Sequence, residues 1–282
     1  MKEMLKKGEI SILLPEEGGG GLSGEVHLVT YENKKIVIRR CKTLAKAKYY
    51  EFLSKKFKKY GFLPKFLGRY GKDVAYEFLE GRDLRGKEKL WVFEEVGRIG
   101  GIINNTNINE NIDLEFYKTL RELVNGNFSF KEKVAIRRKR SKIKTKPKEV
   151  FTKKEALEIK NLYKKIKKKV KPRITLDAVD FTSGNFRISN GKIYLVDIEC
   201  IKPSIQGQGI SKFLKNWGKT RQRKNAFIKG YKKSNNLDLN NQEYKDLIDL
   251  RFAVQALWFK IQVARNLEGD LNTLKNLLKK YA

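Results

Sequence analysis

The stretch from Leu176 to Glu199, LDAVDFTSGNFRISNGKIYLVDIE, constrains this chain more than any other. Asn190-Gly191 is a two-residue hairpin signal, because both residues tolerate the positive φ that a tight turn between strands demands. The segment FRISN-GKIYLVDIE (186–199) therefore reads as a hairpin, preceded by a strand-like run at ITLDAVDF. Ahead of the hairpin stand Asp180 and, five residues on, Asn185. Beyond it Asp197 lies inside an apolar strand, LVDIE, followed by Glu199. A carboxylate between Val196 and Ile198 is costly to bury unless it binds a cation.

Asp, Asn and Asp in that order suit phosphoryl transfer from ATP. The reaction needs a carboxylate that orients the attacking hydroxyl and accepts its proton, and oxygen ligands for the Mg²⁺ that bridges the phosphates. Asp180 is the expected base, with Asn185 and Asp197 as metal ligands. Asp177 is a competing base, but only Asp180 keeps the spacing to Asn185.

Upstream, ISILL (10–14) and EVHLVTY (25–31) flank the glycine-rich GGGGLSG, with a turn at Asn33-Lys34 and a further strand KIVIRR (35–40). Thr43 is placed to cap a helix whose Leu44, Ala47, Tyr50 and Leu53 recur near a 3.6 period, and Gly61 stops it. FLPKFLGRYG and KDVAYEFLEG read as a strand pair turning at Gly71-Lys72. From about 86 onward the pattern is helical, with an Asn-rich loop at 104–112, a helix at 113–126 and closing helices at 242–265 and 268–281. The order implies an α+β fold. Residues 1–82 form a small antiparallel-sheet lobe with one helix. Residues 83–282 form a larger, mostly helical lobe with a basic insertion at about 131–170.

Gly19, Gly21, Gly24 and Val26 lie between two strand candidates rather than at the start of a helix. A dinucleotide fingerprint or Walker loop would open onto a helix, and the Walker Lys-Ser/Thr pair is missing. A glycine loop between antiparallel strands can fold over phosphates, or serve as an ordinary flexible hairpin. On the next strand Val37 and Arg39 share a face. Arg39 is either a solvated cation or a phosphate ligand whose partner would be Glu51, the one acid between Glu32 and Asp73. VAYEFLEG reads as an edge strand or as a hinge, whose backbone at Glu77 and Leu79 would meet an adenine edge.

Glycine loop, strand cation, helix Glu, YEFLEG, D-x4-N and VDIE together resemble the protein-kinase-like superfamily over about residues 18–200. The nearest pattern is that of its aminoglycoside phosphotransferase, choline kinase and RIO-like members. The resemblance implies a bilobal fold, ATP and Mg²⁺ as cofactors, Asp180 as catalytic base, Asn185 and Asp197 as metal ligands, and Arg39–Glu51 as the phosphate-binding pair. Two positions depart from the family. The strand lysine is Arg39 and the histidine two residues before the catalytic Asp is Ala178.

Charge bears on the acceptor. Sixty-three Lys and Arg face 32 Asp and Glu, a formal charge of +31. Many charges of both signs fit a thermophile, but the excess calls for an anionic partner. Residues 131–170 hold 18 Lys or Arg against four Glu. Arg137, Arg138, Lys139 and Arg140, with Arg221, Arg223 and Lys224, are candidate RNA contacts, each alternatively a solvated helix face. In charge, size and thermophilic bias the chain also resembles the archaeal tRNA kinases, which phosphorylate a ribose 2′-hydroxyl. The expected function is thus an ATP-dependent RNA kinase acting on tRNA. The alternatives are a RIO-like protein kinase on ribosomal particles, a sugar or lipid kinase at an anionic membrane, and an RNA-binding pseudokinase. No run of 18 apolar residues and no secretory signal are seen, so a cytoplasmic, monomeric protein is expected. Cys41, Cys200 and the single His27 fit no metal spacing and are expected in strands or buried.

Overall fold

The computed structural model describes residues 9–12, 24–85, 87–126, 150–238, 241–262 and 266–282. The chain divides into two compact units, each assembled from separate pieces. One comprises Met1–Ile99, Asp180–Ile201 and Asn216–Gly230; the other Gly100–Val179, Lys202–Lys215 and Tyr231–Ala282.

The first unit contains a five-stranded antiparallel sheet of β1 (Glu9–Ile12), β2 (Gly24–Tyr31), β3 (Lys34–Cys41), β4 (Phe66–Tyr70) and β5 (Asp73–Glu77), in the order β1-β2-β3-β5-β4. The β2–β3 turn sits at Glu32-Asn33, with φ of 48° and 60°, one residue earlier than expected, and Lys34 already pairs with Tyr31. Strand alternation sorts the sheet's faces. Val29, Ile36, Ile38 and Ala75 form an apolar cluster on one side. Val26, Arg39 and Val74 line up across three strands on the other.

Helix α1 (Leu44–Phe57) follows β3 as the sequence predicts. Thr43 Oγ1 accepts the Lys46 amide at 3.2 Å, and Ala47, Tyr50, Leu53 and Phe57 are buried on one face. Leu44, counted on that face from its period, lies in the first turn and is exposed. A further 3₁₀ turn ends at Gly61, whose φ of 66° suits a residue without Cβ. The unit also holds β6 (Arg82–Asp83), β8 (Phe186–Ser189) and β9 (Lys192–Leu195) as a small sheet. Both free cysteines are buried, as expected.

Helix α2 (Leu90–Asn104) passes from the first unit into the second and keeps its glycines. Gly101 shows why: a Cβ there would stand 2.6 Å from the Tyr231 carbonyl oxygen. In the second unit α3 (Asp113–Asn125), α4 (Lys153–Val170), α7 (Gln242–Gln262) and α8 (Glu268–Tyr281) enclose a core that includes Phe116, Leu120, Ile159, Leu247 and Leu257. Thr152 and Glu155 close a capping box at the start of α4. Strands β7 (Ile174–Ala178) and β10 (Ile201–Ile205) form a two-stranded sheet, followed by α5 (Gln208–Asn216) and α6 (Arg221–Lys232).

Much of the 164–169 basic run is engaged within this unit. Lys167 bonds Asp113 at 2.6 Å, Lys165 bonds the Tyr281 carbonyl at 2.7 Å, and Lys169 pairs with Glu243. Cations in the last turn of α4 also complement its dipole. No helix among the described residues is long and apolar enough to cross a membrane.

Candidate active site

Asp180 is exposed on the loop after β7. That loop is closed by three short bonds. Thr182 donates its amide to the Asp180 carbonyl at 2.8 Å, Asn185 donates its amide to the Thr182 carbonyl at 3.1 Å, and Asn185 Nδ2 donates to the Asp180 carbonyl at 2.5 Å. With its NH₂ turned inward, Asn185 presents Oδ1 as a free acceptor.

The β8–β9 hairpin turns at Asn190-Gly191 with φ of 47° and 71°, as predicted. At its base the Val196 amide donates to the Asn185 carbonyl at 2.9 Å, so Asp197 follows directly on a residue tied to Asn185. LVDIE leads one to expect Asp197 inside a strand, but it lies outside one. β9 stops at Leu195, and Asp197, at φ −97° and ψ 81°, opens a 3₁₀ turn over Ile198–Cys200. Leaving the ladder frees its carboxylate from strand alternation and leaves the side chain 32% exposed.

The expected Arg39–Glu51 pair does not form. Arg39 Nη1 donates to Asp197 Oδ1 at 3.2 Å and to Glu199 Oε2 at 3.5 Å. Glu51 instead accepts from Lys55 at 2.7 Å and Arg69 at 2.6 Å, because it sits one residue past Tyr50, on a different face of α1. It is Tyr50 whose ring lies below the Arg39 guanidinium, 5.9 Å from centroid to Cζ. Burial works against the Arg39 charge, but Asp197, Tyr50 and Glu199 outweigh it and raise its pKa.

Helix α1 contributes a cation rather than an acid to this cluster: Lys46 Nζ bonds Glu199 Oε1 at 2.5 Å. Sequence reasoning missed Lys46. A signal existed, since a lysine in a first turn without acids opposes the helix dipole and needs a partner elsewhere.

Asn185 Oδ1 and the Asp197 carboxylate are hard oxygen donors. Such a pair suits Mg²⁺, which completes its shell from phosphate and water. Among the described residues no group of three or more acidic, His or Cys side chains could hold a metal.

Of the other predicted positions, Gly19 and Gly21 lie outside the described residues, and Gly24 is the first residue of β2. Val26 is buried opposite Arg39, and Val37 is half-buried two residues before it on the same face. Glu77 ends β5 with its amide donating to the Lys65 carbonyl at 3.0 Å and its carboxylate accepting the Lys65 amide at 2.8 Å. The Phe78 amide is likewise engaged, by the Lys35 carbonyl at 3.3 Å. Leu79 has no backbone partner among the described residues and remains the freer of the two hinge positions.

Arg137, Arg138, Lys139 and Arg140 lie outside the described residues. Arg221 and Lys224 are exposed on α6, while Arg223 packs its guanidinium over Phe93 at 5.2 Å. The buried side of α6 carries Phe227, edge-on to Phe181 with centroids 6.4 Å apart; Phe181 is the residue after Asp180. The basic helix is thereby fixed to the loop of the candidate base.

No family model matches the chain, and no curated protein matches it. Solved structures do. The chain is similar to the choline kinase LicA from Streptococcus pneumoniae, at 15% identity and a TM-score of 0.62 over 96% of this chain and 92% of that one. The protein-kinase-like fold is shown. A Plasmodium vivax ethanolamine kinase (14% identity, TM-score 0.57, covering 99% of this chain and 82% of that one) and a spectinomycin phosphotransferase (15%, 0.58, 99% and 92%) share this kinase-like fold.

The second unit of the fold holds two further features. A cavity of about 350 Å³ is lined by Glu115, Glu122, Val179, Lys202, Trp258 and Phe259 among others, and Trp258 Nε1 donates to Glu122 Oε2 at 2.5 Å. Val179, in its wall, is the chain neighbour of Asp180. Asp177 is 1% exposed and accepts the Gly209 amide at 3.3 Å. Burial pushes its carboxyl up to about 7, against the pull of the Asn104 side chain and the α5 amides. It is thus a strut between β7 and α5, not a base open to substrate.

Proposed function

We propose that this chain is an ATP-dependent phosphotransferase that passes the γ-phosphate to an alcohol hydroxyl. The reading is carried by the gathering of Arg39, Asp197 and Glu199 in the same unit as the Asn185-braced Asp180 loop. Asp180 orients the acceptor hydroxyl and takes its proton. Asn185 and Asp197 would hold Mg²⁺, which neutralises charge on the phosphates. Arg39 aims the Asp197 carboxylate and supplies a fixed positive charge next to it. Two of the similar structures contain ADP with spectinomycin, and AMP-PNP with Ca²⁺, in keeping with a nucleotide and a divalent cation.

For the acceptor, the reading supported by charge is RNA, at a ribose 2′-hydroxyl such as those of tRNA, in a monomeric cytoplasmic enzyme. Its support is the +31 formal charge and the basic α6 packed against Phe181. A second reading, a compact cationic alcohol, is favoured by the cavity of the second unit. There an indole, a phenyl ring and two glutamates offer faces that attract an ammonium group, although Lys118, 3.9 Å from Glu122, and Lys202 share the wall.

One experiment separates them. γ-Labelled ATP is incubated with total RNA, protein and small amino alcohols in parallel, using the wild type and Asp180→Ala. Label that enters RNA and is released by nuclease but not by protease supports the first reading. Label only in amino alcohols, lost on Trp258→Ala, supports the second. Label that Asp180→Ala still transfers would overturn both.

A further inference from the structure

The first turn of α2 leaves an indole in water. Trp91 is 45% exposed and Leu90 48% exposed, while Val92, Phe93 and Val96 on the same helix are buried. The core does not need Trp91. Its chain neighbours Lys87 and Lys89 are exposed, as are Lys219, Arg221 and Lys224 around the start of α6. The two helices meet: Arg223 stacks on Phe93, Lys229 Nζ bonds Glu94 Oε2 at 3.1 Å, and a Cβ on Gly230 would stand 1.7 Å from the Glu94 carbonyl oxygen. Trp91 lies on one side of α2 with the half-buried Glu94 and Glu95, three and four residues on.

The acids of this surface are already engaged. Glu88 is held by Arg82 at 2.6 Å and by the Arg85 amide at 2.7 Å, Glu94 by Lys229, and Glu95 by Arg98 at 2.6 Å. Lys87, Lys89, Lys219, Arg221 and Lys224 have no carboxylate partner among the described residues. The two packed helices thus carry exposed cations without a carboxylate partner and one exposed, stackable ring. Helix α6 is pinned through Phe227 to Phe181, next to Asp180.

We propose that this α2–α6 face docks an unpaired stretch of RNA, with Trp91 as the platform on which one base stacks. The inference rests on the RNA reading above and specifies it: the substrate presents unpaired nucleotides beside the hydroxyl to be modified. Cations neutralise phosphates without regard to sequence, but a single exposed indole adds affinity only where a base is unstacked and its π-face open. A duplex hides those faces. An anionic membrane would answer the charge, but two large apolar side chains offer it little area to bury.

The test uses the full chain and a fluorescent 20-mer oligoribonucleotide without secondary structure, with the same sequence annealed as a duplex. Trp91→Ala should weaken single-strand binding about tenfold, leave duplex binding unchanged and keep the salt dependence of the wild type. Trp91→Phe should restore most of the loss. Arg221→Gln with Lys224→Gln should weaken both forms and flatten the salt dependence. Unfolding curves of each variant establish that it is folded.

Wild-type binding by Trp91→Ala overturns the platform, while continued transfer of label to RNA by that protein leaves the RNA reading intact. If the wild type neither binds nor phosphorylates RNA, the RNA reading fails and the docking face with it. Capture on phosphatidylserine vesicles that is lost in Trp91→Ala, without single-strand binding, would assign the face to a membrane and overturn the proposal.

Discussion

Arg39 Nη1 lies 3.2 Å from Asp197 Oδ1, across 158 residues of chain. The strand cation therefore acts directly on the candidate metal-binding acid. Arg39→Lys keeps the charge but loses the planar guanidinium whose Nη1 reaches both Asp197 and Glu199. It should lower kcat/KM for phosphoryl transfer about tenfold to a hundredfold, and Asp197→Asn about a thousandfold or more. Steady-state assays with labelled ATP would show both; an unimpaired Arg39→Lys enzyme would remove Arg39 from the site.

Glu51 and Glu199 should part ways. Glu51→Gln breaks contacts with Lys55 and Arg69 only, so transfer should stay within about twofold of wild type. Glu199→Gln disturbs the shared partner of Arg39 and Lys46 and should reduce transfer strongly. A double-mutant cycle of Lys46→Met with Glu199→Gln should return a coupling of about 1 kcal/mol in unfolding free energy. A coupling of zero would mean that the 2.5 Å contact contributes nothing.

Phe227 is fully buried against Phe181. Phe227→Ala opens a cavity beneath the Asp180 loop and should cost about 3–4 kcal/mol of stability, readable as a lowered thermal midpoint. Phe227→Leu should recover most of it. Equal midpoints for Ala and wild type would contradict the packing.

Asp177 should make stability depend on pH. Its carboxyl is raised by burial from 3.8 to about 7, so the folded chain binds a proton that the unfolded chain has released. That contribution is fully present below about pH 4 and is lost as pH rises through 7. Asp177→Asn should therefore flatten the fall in urea midpoint between pH 4 and 8. An identical slope in the variant would show that another group is responsible.

Local chemistry made much of this legible. Asn190-Gly191 turns the hairpin because both residues accept positive φ, Thr43 caps α1 through its own hydroxyl, and the order Asp180, Asn185, Asp197 is what suggests the proposed chemistry. The Glu32-Asn33 turn lies one residue before the Asn33-Lys34 position that the sequence suggests, since Glu32 carries no strong preference for the left-handed region that it occupies. The side-chain partners were less accessible. The α1 period turns Tyr50 inward, so the neighbouring Glu51, although the one acid between Glu32 and Asp73, faces away from Arg39.

Spacing along the chain carried local conformation and the candidates for the reacting groups. Which opposite charges meet was decided by tertiary packing alone. Arg39 had a choice of carboxylates that sequence could not rank, and the fold brought it Asp197 and Glu199. The pinning of α6 by Phe227 on Phe181 and the cavity around Glu122 and Trp258 likewise join residues far apart in the chain. Short-range preferences act through backbone torsions a few residues long. Contacts such as these form only when a buried core aligns separate segments, and they leave no period to read.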